Sequence, residues 1–112
     1  MPERSDNRQH TAILTSREVE LLEREAERRG TTISAVLNAA IVGMLDSVDL
    51  VTEGLCVPSS RGEHATGRGY RFAPSTIARM DEVRIAHDFT LRSQMRAAVF
   101  WLERRLKAEG RG

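Results

Sequence analysis

A short strand-like stretch that runs directly into a charged helix is the feature that most constrains this chain. Residues 11–14, TAIL, are uncharged and suit the two-residue period of a strand, and helix-forming residues begin at Thr15. A strand of about five residues is not stable alone, because its backbone N–H and C=O groups need a neighbouring strand. The chain must therefore supply a second strand elsewhere.

The residues that follow predict two helices joined by a tight turn. Thr15 and Glu18 have the spacing of a capping box at the start of the first helix, and Gly30 suits its end. A threonine at 31 or 32 is placed to cap the second helix. The apolar residues of that helix recur with the period of an amphipathic helix: Ile33, Val36, Leu37, Ala40, Ile41, Met44 and Leu45. The unit is strand, helix, turn, helix.

The same unit recurs 58 residues later in the chain. Residues 31–45, TTISAVLNAAIVGML, align with residues 89–103, FTLRSQMRAAVFWLE. The same shift places Leu14 on Phe72, and it predicts that residues 69–73, GYRFA, form the missing strand.

The segment between the two copies is predicted to be a linker, because its end is rich in Gly, Ser and Pro. As a coil it would span roughly 25–30 Å, enough to bring the strands side by side. Its apolar residues are expected to pack on the domain: Leu50, Val51, Leu55 and Val57. We therefore divide the chain into a disordered tail, a first motif, a partly packed linker, a second motif and a short tail, at residues 1–9, 10–46, 47–68, 69–107 and 108–112.

Charge is distributed unevenly along the sequence. Residues 1–67 carry 7 Arg against 11 acidic residues, a net −4, whereas residues 68–112 carry 9 Arg and 1 Lys against 5 acidic residues, a net +5. These charges are either ordinary solvated helix faces or a basic surface that faces a polyanion. Of the 17 basic residues, 16 are Arg, whose planar fork suits phosphates and base edges.

The sequence lacks the patterns of an enzyme, a metal site or a membrane protein. The three His and the single Cys56 do not have metal-ligand spacing, and no glycine-rich phosphate loop is present. We therefore expect no catalytic residues, no metal and no cofactor. No apolar run reaches the roughly 18 residues that span a bilayer, and the N-terminus has no secretory signal. The expected location is the cytoplasm, with the nucleoid.

Both copies resemble the ribbon-helix-helix superfamily of DNA-binding proteins, the Arc/MetJ type. The first copy, ILTSREVELLEREAERRGTTISAVLNAAI, is similar to the family pattern almost position by position. The second, YRFAPSTIARMDEVRIAHDFTLRSQMRAAV, departs from it at Asp88, where the turn glycine is usual, and at Arg84, where a small residue is usual. Two copies in one chain resemble tandem proteins among conjugative-plasmid accessory factors and phage or viral regulators.

The resemblance implies a mainly α fold with a short two-stranded antiparallel ribbon, in which the tandem motifs form an intramolecular pseudo-dimer. The implied function is that of a sequence-specific double-stranded DNA-binding protein, a transcriptional repressor or autoregulator that reads the major groove with its paired strands. Further copies of the chain are expected beside it on DNA. Two alternatives stay open. One is an accessory factor of a conjugative relaxosome or plasmid partition system, and the other is a helical protein-interaction module such as an antitoxin or anti-regulator.

Alternation along the two predicted strands indicates which side chains would contact DNA. Those expected to face the helices are Ala12, Leu14, Tyr70 and Phe72. Those expected to face outward, as candidate base contacts, are Thr11, Ile13, Thr15, Gly69, Arg71 and Ala73. The N-termini of the second helices suit phosphate, although Ser and Thr there serve equally as caps. The candidate phosphate contacts are Thr31, Thr32, Ser34, Thr90, Arg92 and Ser93.

Two smaller sets of residues complete the predictions. Arg4 and Arg8 in the N-terminal tail are candidates for additional contacts with the DNA backbone. Phe100 and Trp101 are predicted to pack in the core, whereas an exposed Trp101 would mark a protein-contact face.

Overall fold

The computed structural model describes residues 8–58 and 64–110, and of Arg8 it describes only the backbone. These residues form two strands and four helices in the order β1 (Arg8–Thr15), α1 (Ser16–Arg29), α2 (Ile33–Ser47), β2 (Ala65–Phe72), α3 (Pro74–His87) and α4 (Leu91–Ala108). The strands form one antiparallel sheet. The prediction of a mainly helical protein with a two-stranded antiparallel ribbon is confirmed.

After a shift of 58 residues, α1 and α3 have the same bounds, α2 and α4 begin at the same position, and the strands differ by one residue. Helix α1 begins at Ser16 and α3 at Pro74, and 16 + 58 = 74. The ends of these helices, at 29 and 87, differ by the same number. Helices α2 and α4 also begin 58 residues apart, but α4 is three residues longer, at 18 residues against 15.

Local side-chain chemistry explains where the first helix begins and ends. The Thr15 hydroxyl accepts a hydrogen bond from the amide of Glu18, and the Glu18 carboxylate accepts one from the amide of Thr15, at 3.2 and 2.8 Å. The predicted capping box is therefore confirmed. Gly30 ends the helix in the left-handed region at φ 68°, and Asp88 takes the same conformation at the end of α3, at φ 62°. The turn conformation is thus kept where the second half lacks glycine.

The register of the ribbon pairs equivalent positions of the two halves at its centre. The ladder runs from Arg8 opposite Phe72 to Thr15 opposite Ala65, and Thr11 lies opposite Gly69. Thr11 and Gly69 are 58 positions apart, so the antiparallel register is centred on a pair of corresponding residues.

Both strands are longer than the sequence predicted. Strand β1 begins at Arg8, inside the predicted tail, and β2 begins at Ala65, inside the predicted linker. The reason is pairing: residues 65–68 have the composition of a linker, but each lies opposite a residue of β1 and completes its ladder. Helices α2 and α4 each end one residue beyond the predicted motif ends, at Ser47 and Ala108.

The core lies between the inner face of the ribbon and the four helices. The ribbon residues predicted to face inward are all buried: Ala12, Leu14, Tyr70 and Phe72. Leu37 of α2 and Met95 of α4, which occupy corresponding positions, are 0% and 1% exposed. Within the described ranges, no helix has the length and apolar character needed to cross a bilayer.

Candidate nucleic-acid interface

The side of the ribbon that points away from the helices is exposed along most of its length. We call it the outer face, and it consists of Gln9, Thr11, Ile13, Gly67, Gly69 and Arg71. Across the two strands, Gln9 lies opposite Arg71, Thr11 opposite Gly69, and Ile13 opposite Gly67. Four of the predicted base-contact residues therefore lie on one surface: Thr11, Ile13, Gly69 and Arg71.

The other two predicted base-contact residues do not lie on the outer face. Thr15 is only 2% exposed, because its hydroxyl and its amide are both used in the capping box of α1. Ala73 follows β2 as the N-cap residue of α3, and its amide donates to Oδ1 of Asn38 at 3.1 Å. Both residues are helix N-caps, where the chain leaves the ribbon, so the strand alternation no longer holds.

Gln9 is a residue of the outer face that the sequence interpretation missed. Its exposed side chain crosses to the opposite strand, where a Cβ atom added to Gly69 would lie 1.9 Å from Nε2 of Gln9. The glycine therefore leaves the space that the Gln9 side chain occupies. Following the alternation one step upstream of Thr11 would have identified this position.

Helix α2 holds one end of the ribbon through two polar side chains. The Oγ of Ser34 accepts a hydrogen bond from the amide of Arg71 at 3.0 Å, and Asn38 binds the amide of Ala73 as described above. The backbone of Arg71 is therefore fixed while its side chain is exposed. Among the described residues, no acidic group lies within 4.0 Å of the Arg71 guanidinium.

Helix α4 holds the other end of the ribbon through a buried ion pair. Arg96 donates from Nη2 and Nε to the carboxylate of Glu18, with the shortest distance 2.7 Å, and from Nη1 to the carbonyl of Pro58 at 2.8 Å. The two charged side chains are 14% and 7% exposed. This contact joins the second half to the capping box of the first half. Sequence reasoning missed the contact, because no local spacing connects residues 78 positions apart.

The predicted phosphate-contact residues are grouped at the N-termini of α2 and α4. The hydroxyls of Thr32 and Thr90 accept hydrogen bonds from the amides of Ala35 and Ser93, both at 3.1 Å, so both threonines are helix caps. Thr90 also donates to the Oγ of Ser93 at 3.0 Å. Thr31, in the turn before α2, is exposed and its amide donates to the carbonyl of Ala26. A cap uses one amide of the first turn and leaves others free for a ligand.

A cleft lies at each end of the ribbon beside one of these helix N-termini. The first cleft, of about 460 Å³, is lined by Thr32, Ser34, Ala35, Asn38, Arg71 and Ala73. The second, of about 210 Å³, is lined by Ile13, Val57, Ala65, Arg92, Ser93 and Arg96. After the shift of 58 residues, four lining positions of the first cleft correspond to four of the second: Ser34 to Arg92, Ala35 to Ser93, Asn38 to Arg96, and Arg71 to Ile13.

The two clefts carry their positive charge on different elements. In the first cleft the arginine is on the strand, at Arg71, and the helix contributes Ser34 and Asn38. In the second cleft the strand contributes Ile13, and the helix contributes Arg92 and Arg96. Arg96 is committed to Glu18, whereas Arg92 is exposed and has no acidic partner within 4.0 Å among the described residues.

Beneath the ribbon, Tyr70 closes the inner side of the site. Its hydroxyl is buried and has no hydrogen-bond partner among the described residues. Burial raises the pKa of Tyr70, so the phenol is neutral at physiological pH. Its role in the site is to support the ribbon by packing.

Arg4 and Arg8 were predicted as additional contacts from the N-terminal tail. Arg4 lies outside the described residues, and Arg8 is known only as the first backbone position of β1, opposite Phe72.

Among the described residues, no group of three or more His, Cys, Asp or Glu is placed to hold a metal ion. No protein-family model, curated protein or solved structure matches this chain.

Proposed function

We propose that this protein is a sequence-specific double-stranded DNA-binding protein of the ribbon-helix-helix type that acts as a transcriptional repressor. The outer face would enter the major groove, and the N-termini of α2 and α4 would contact the phosphates on either side. A repressor of this kind occupies its site and is associated with the nucleoid. The observation that carries the proposal is the exposed ribbon flanked at both ends by helix N-termini.

We further propose that the two halves form an intramolecular pseudo-dimer. The centring of the ribbon on Thr11 and Gly69 supports this, because a two-fold axis between equivalent halves requires equivalent residues to pair there. The corresponding bounds of α1 and α3 support it as well.

The dimensions and chemistry of the outer face suit the edges of base pairs. The major groove, about 12 Å wide, admits a two-stranded ribbon. The Arg71 guanidinium can donate two hydrogen bonds to guanine O6 and N7, and the Gln9 amide can pair in the same way with adenine N6 and N7. Ile13 and Thr11 present methyl groups to a thymine methyl. Gly67 and Gly69 leave room for the side chains of the opposite strand, Thr11 and Ile13 over Gly67 and Gln9 over Gly69.

Phosphate contacts would come from the helix ends on either side of the ribbon. The first amides of α2 and α4 and the positive ends of their dipoles favour an anion. Arg92 is free for a phosphate beside α4, whereas α2 offers Thr31 and Thr32 and uses Ser34 to hold the ribbon. The α4 end is therefore expected to bind phosphate more strongly.

Salt dependence of DNA binding tests this proposal. Neutralisation of about 4–6 phosphates predicts that log K falls against log salt with a slope of about −4 to −5, or a loss of roughly 250- to 1,000-fold between 50 and 200 mM salt. Fluorescence anisotropy with a labelled duplex pool measures the slope. Absence of binding at low salt, or affinity that does not change with salt, would rule out the proposed interface.

A matched pair of variants separates the interface from general charge. Arg92→Ala should weaken binding to all duplexes and make the slope less steep by about 1. Arg84→Ala removes an equal charge at the far end of α3, where Arg84 pairs with Asp81, and should leave the slope unchanged. Equal effects of the two variants would argue for non-specific attraction by net charge.

A further inference from the structure

Helix α4 presents a second face with large aromatic residues in addition to the apolar stripe that faces the core. The core stripe contains Met95, Ala98, Val99, Leu102 and Leu106, all buried. The second face has the same helical spacing and is mixed: it presents Ala97, Phe100, Trp101 and Ala108 together with Arg104 and Arg105. Its two half-buried aromatic residues are more apolar surface than a solvated helix face usually carries.

The second face forms one wall of a groove of about 680 Å³. We call it the α4 groove, and its other wall consists of Met44, Val48, Glu53, Gly54, Leu55 and Cys56. Phe100 and Trp101 are half-buried, so their prediction as core residues holds only in part. The Trp101 ring packs so closely on Gly43 that an added Cβ would lie 2.7 Å from it. The groove is the largest of the clefts described above.

Only the second half of the chain supplies these aromatic residues. The positions of α2 that correspond to Phe100, Trp101 and Arg104 are Val42, Gly43 and Asp46. The groove is therefore not a consequence of the shared fold, and it has no counterpart built from the same side chains on α2.

A hydrogen-bonded turn beside the groove carries an exposed apolar side chain. Val51 is 84% exposed, the most exposed of the large apolar residues in the described ranges. Asp49 orders the turn, because its Oδ1 accepts hydrogen bonds from the amides of Val51 and Thr52 at 3.0 and 3.4 Å. These bonds also lower the pKa of Asp49, so the carboxylate is charged at neutral pH. The turn continues directly into Glu53 and Leu55 of the groove wall.

The walls of the groove carry opposite charges that are not paired with each other. Arg104 lies on the α4 wall, where its guanidinium is 5.8 Å from the centre of the Phe100 ring, and Glu53 lies on the opposite wall. Within the described ranges neither has an ion-pair partner within 4.0 Å. In a two-fold dimer, any contact between Glu53 of one copy and Arg104 of the other would occur twice.

We infer that the α4 groove is the interface of a symmetric dimer, in which Val51 of each copy enters the groove of the other. Val51 lies two residues before Glu53 of the groove wall, so one self-complementary surface can include both the side chain and the groove, as a closed two-fold contact requires. Glu53 of one copy pairs with Arg104 of the other, and the reverse. The contact is small, so the dimer is expected to be weak and to form at high local concentration.

The position of this interface leaves the outer face free. The groove lies along the C-terminal halves of α2 and α4, whereas their N-termini flank the ribbon. A helix of 15 residues is about 22 Å long, so the two surfaces are at opposite ends of the helices. A dimer would thus present two ribbons and could bind two DNA sites at once. The dimer itself does not require that the ribbon binds DNA.

Sedimentation equilibrium of the protein alone tests the inference. The wild-type chain should show reversible association between about 5 and 500 µM, accompanied by a change in the emission of Trp101, its only tryptophan. Val51→Asp should raise the dimer dissociation constant about tenfold or more. Ile85→Asp is the matched control, because Ile85 is 74% exposed on α3 and does not line the groove, and it should leave association unchanged.

A charge exchange tests the symmetry of the contact. Arg104→Glu and Glu53→Arg should each weaken association, and the two changes in one chain should restore it. A monomer at all concentrations, or loss of association in Ile85→Asp but not in Val51→Asp, would overturn the inference. The inference would also be overturned if the weakening of association by Arg104→Glu and by Glu53→Arg were additive in the double variant. None of these results depends on DNA, so they are separate from the test of the ribbon.

Discussion

The two ends of the ribbon have the same architecture but opposite distributions of side-chain chemistry. At one end the strand carries the free arginine, Arg71, and the neighbouring helix holds the strand with neutral hydrogen bonds from Ser34 and Asn38. At the other end the strand carries Ile13, and the helix carries Arg92 and the Arg96 that binds Glu18. The backbone is therefore repeated at the two ends of the ribbon, but the side-chain chemistry is not.

This difference shows which parts of the repeat are constrained by packing and which are not. The bounds of α1 and α3, the threonine caps of α2 and α4, and the central core positions correspond in the two halves, because both must bury the same kind of stripe against one core. The caps of α1 and α3 differ, since Thr15 makes a capping box and Ala73 has no side chain to cap with. Positions that face the clefts have diverged, since their side chains contribute less to burial. A symmetric ribbon would present the same side chains twice, whereas this one, if it binds DNA as proposed, would distinguish the two directions along the duplex.

The largest expected effect tests whether the two halves share one core. Leu37→Asp and Met95→Asp each place a charge at a position that is at most 1% exposed, and each should cost several kcal/mol, comparable with a total stability of about 5–15 kcal/mol. Circular dichroism during denaturant titration should show loss of all helical signal in both variants. Loss of about half the signal in either variant would mean that the halves fold separately.

The next effect compares the contacts that hold the two ribbon ends. Glu18→Ala removes the ion-pair partner of Arg96 together with the capping-box acceptor of the Thr15 amide, and it should destabilise the protein by about 2–4 kcal/mol. Asn38→Ala removes one hydrogen bond at the corresponding position of α2 and should cost about 1 kcal/mol. Urea denaturation measures both. Similar costs for the two variants would show that the ion pair contributes no more than the neutral contact.

The smallest expected effect concerns the two helix-ending turns. Asp88 takes the left-handed conformation that Gly30 takes in the first half, and a non-glycine residue is strained there. Asp88→Gly should stabilise the protein by about 0.5–1 kcal/mol, and Gly30→Asp should destabilise it by a similar amount. Thermal denaturation of the two variants checks the signs. A destabilised Asp88→Gly protein would mean that the Asp88 side chain makes a compensating interaction.

Much of the fold could be predicted from the sequence because its determinants are local. The apolar period of α2, the capping box at Thr15 and the inward positions of the ribbon all depend on spacings of a few residues. The shift of 58 then carried these features to the second half. The boundaries of β2 could not be predicted in this way, because residues 65–68 have the composition of a linker and form a strand only by pairing with β1.

The candidate site was predictable in part for the same reason. Alternation identified Thr11, Ile13, Gly69 and Arg71, but it failed at Thr15, where the residue that caps a helix cannot also point outward. The Glu18–Arg96 pair depends on how the halves meet in space, and no sequence spacing encodes it. The α4 groove is a further example. The linker residues that were all predicted to pack on the domain are Leu50, Val51, Leu55 and Val57. Leu55 does, but Val51 and Val57 are exposed, and the turn that Asp49 orders projects Val51 away from the core.

Selection of DNA sites by the wild-type protein and by Arg71→Ala tests the central claim most directly. The wild-type protein should select a non-palindromic sequence, with a G·C pair beneath Arg71, an adenine beneath Gln9 and A·T preference near Ile13; where copies bind side by side, the sites should be direct repeats. Arg71→Ala should lose about 1–3 kcal/mol of affinity and relax preference at that G·C pair alone. A perfect palindrome centred on the ribbon, or an Arg71→Ala protein with unchanged base preference, would contradict the account.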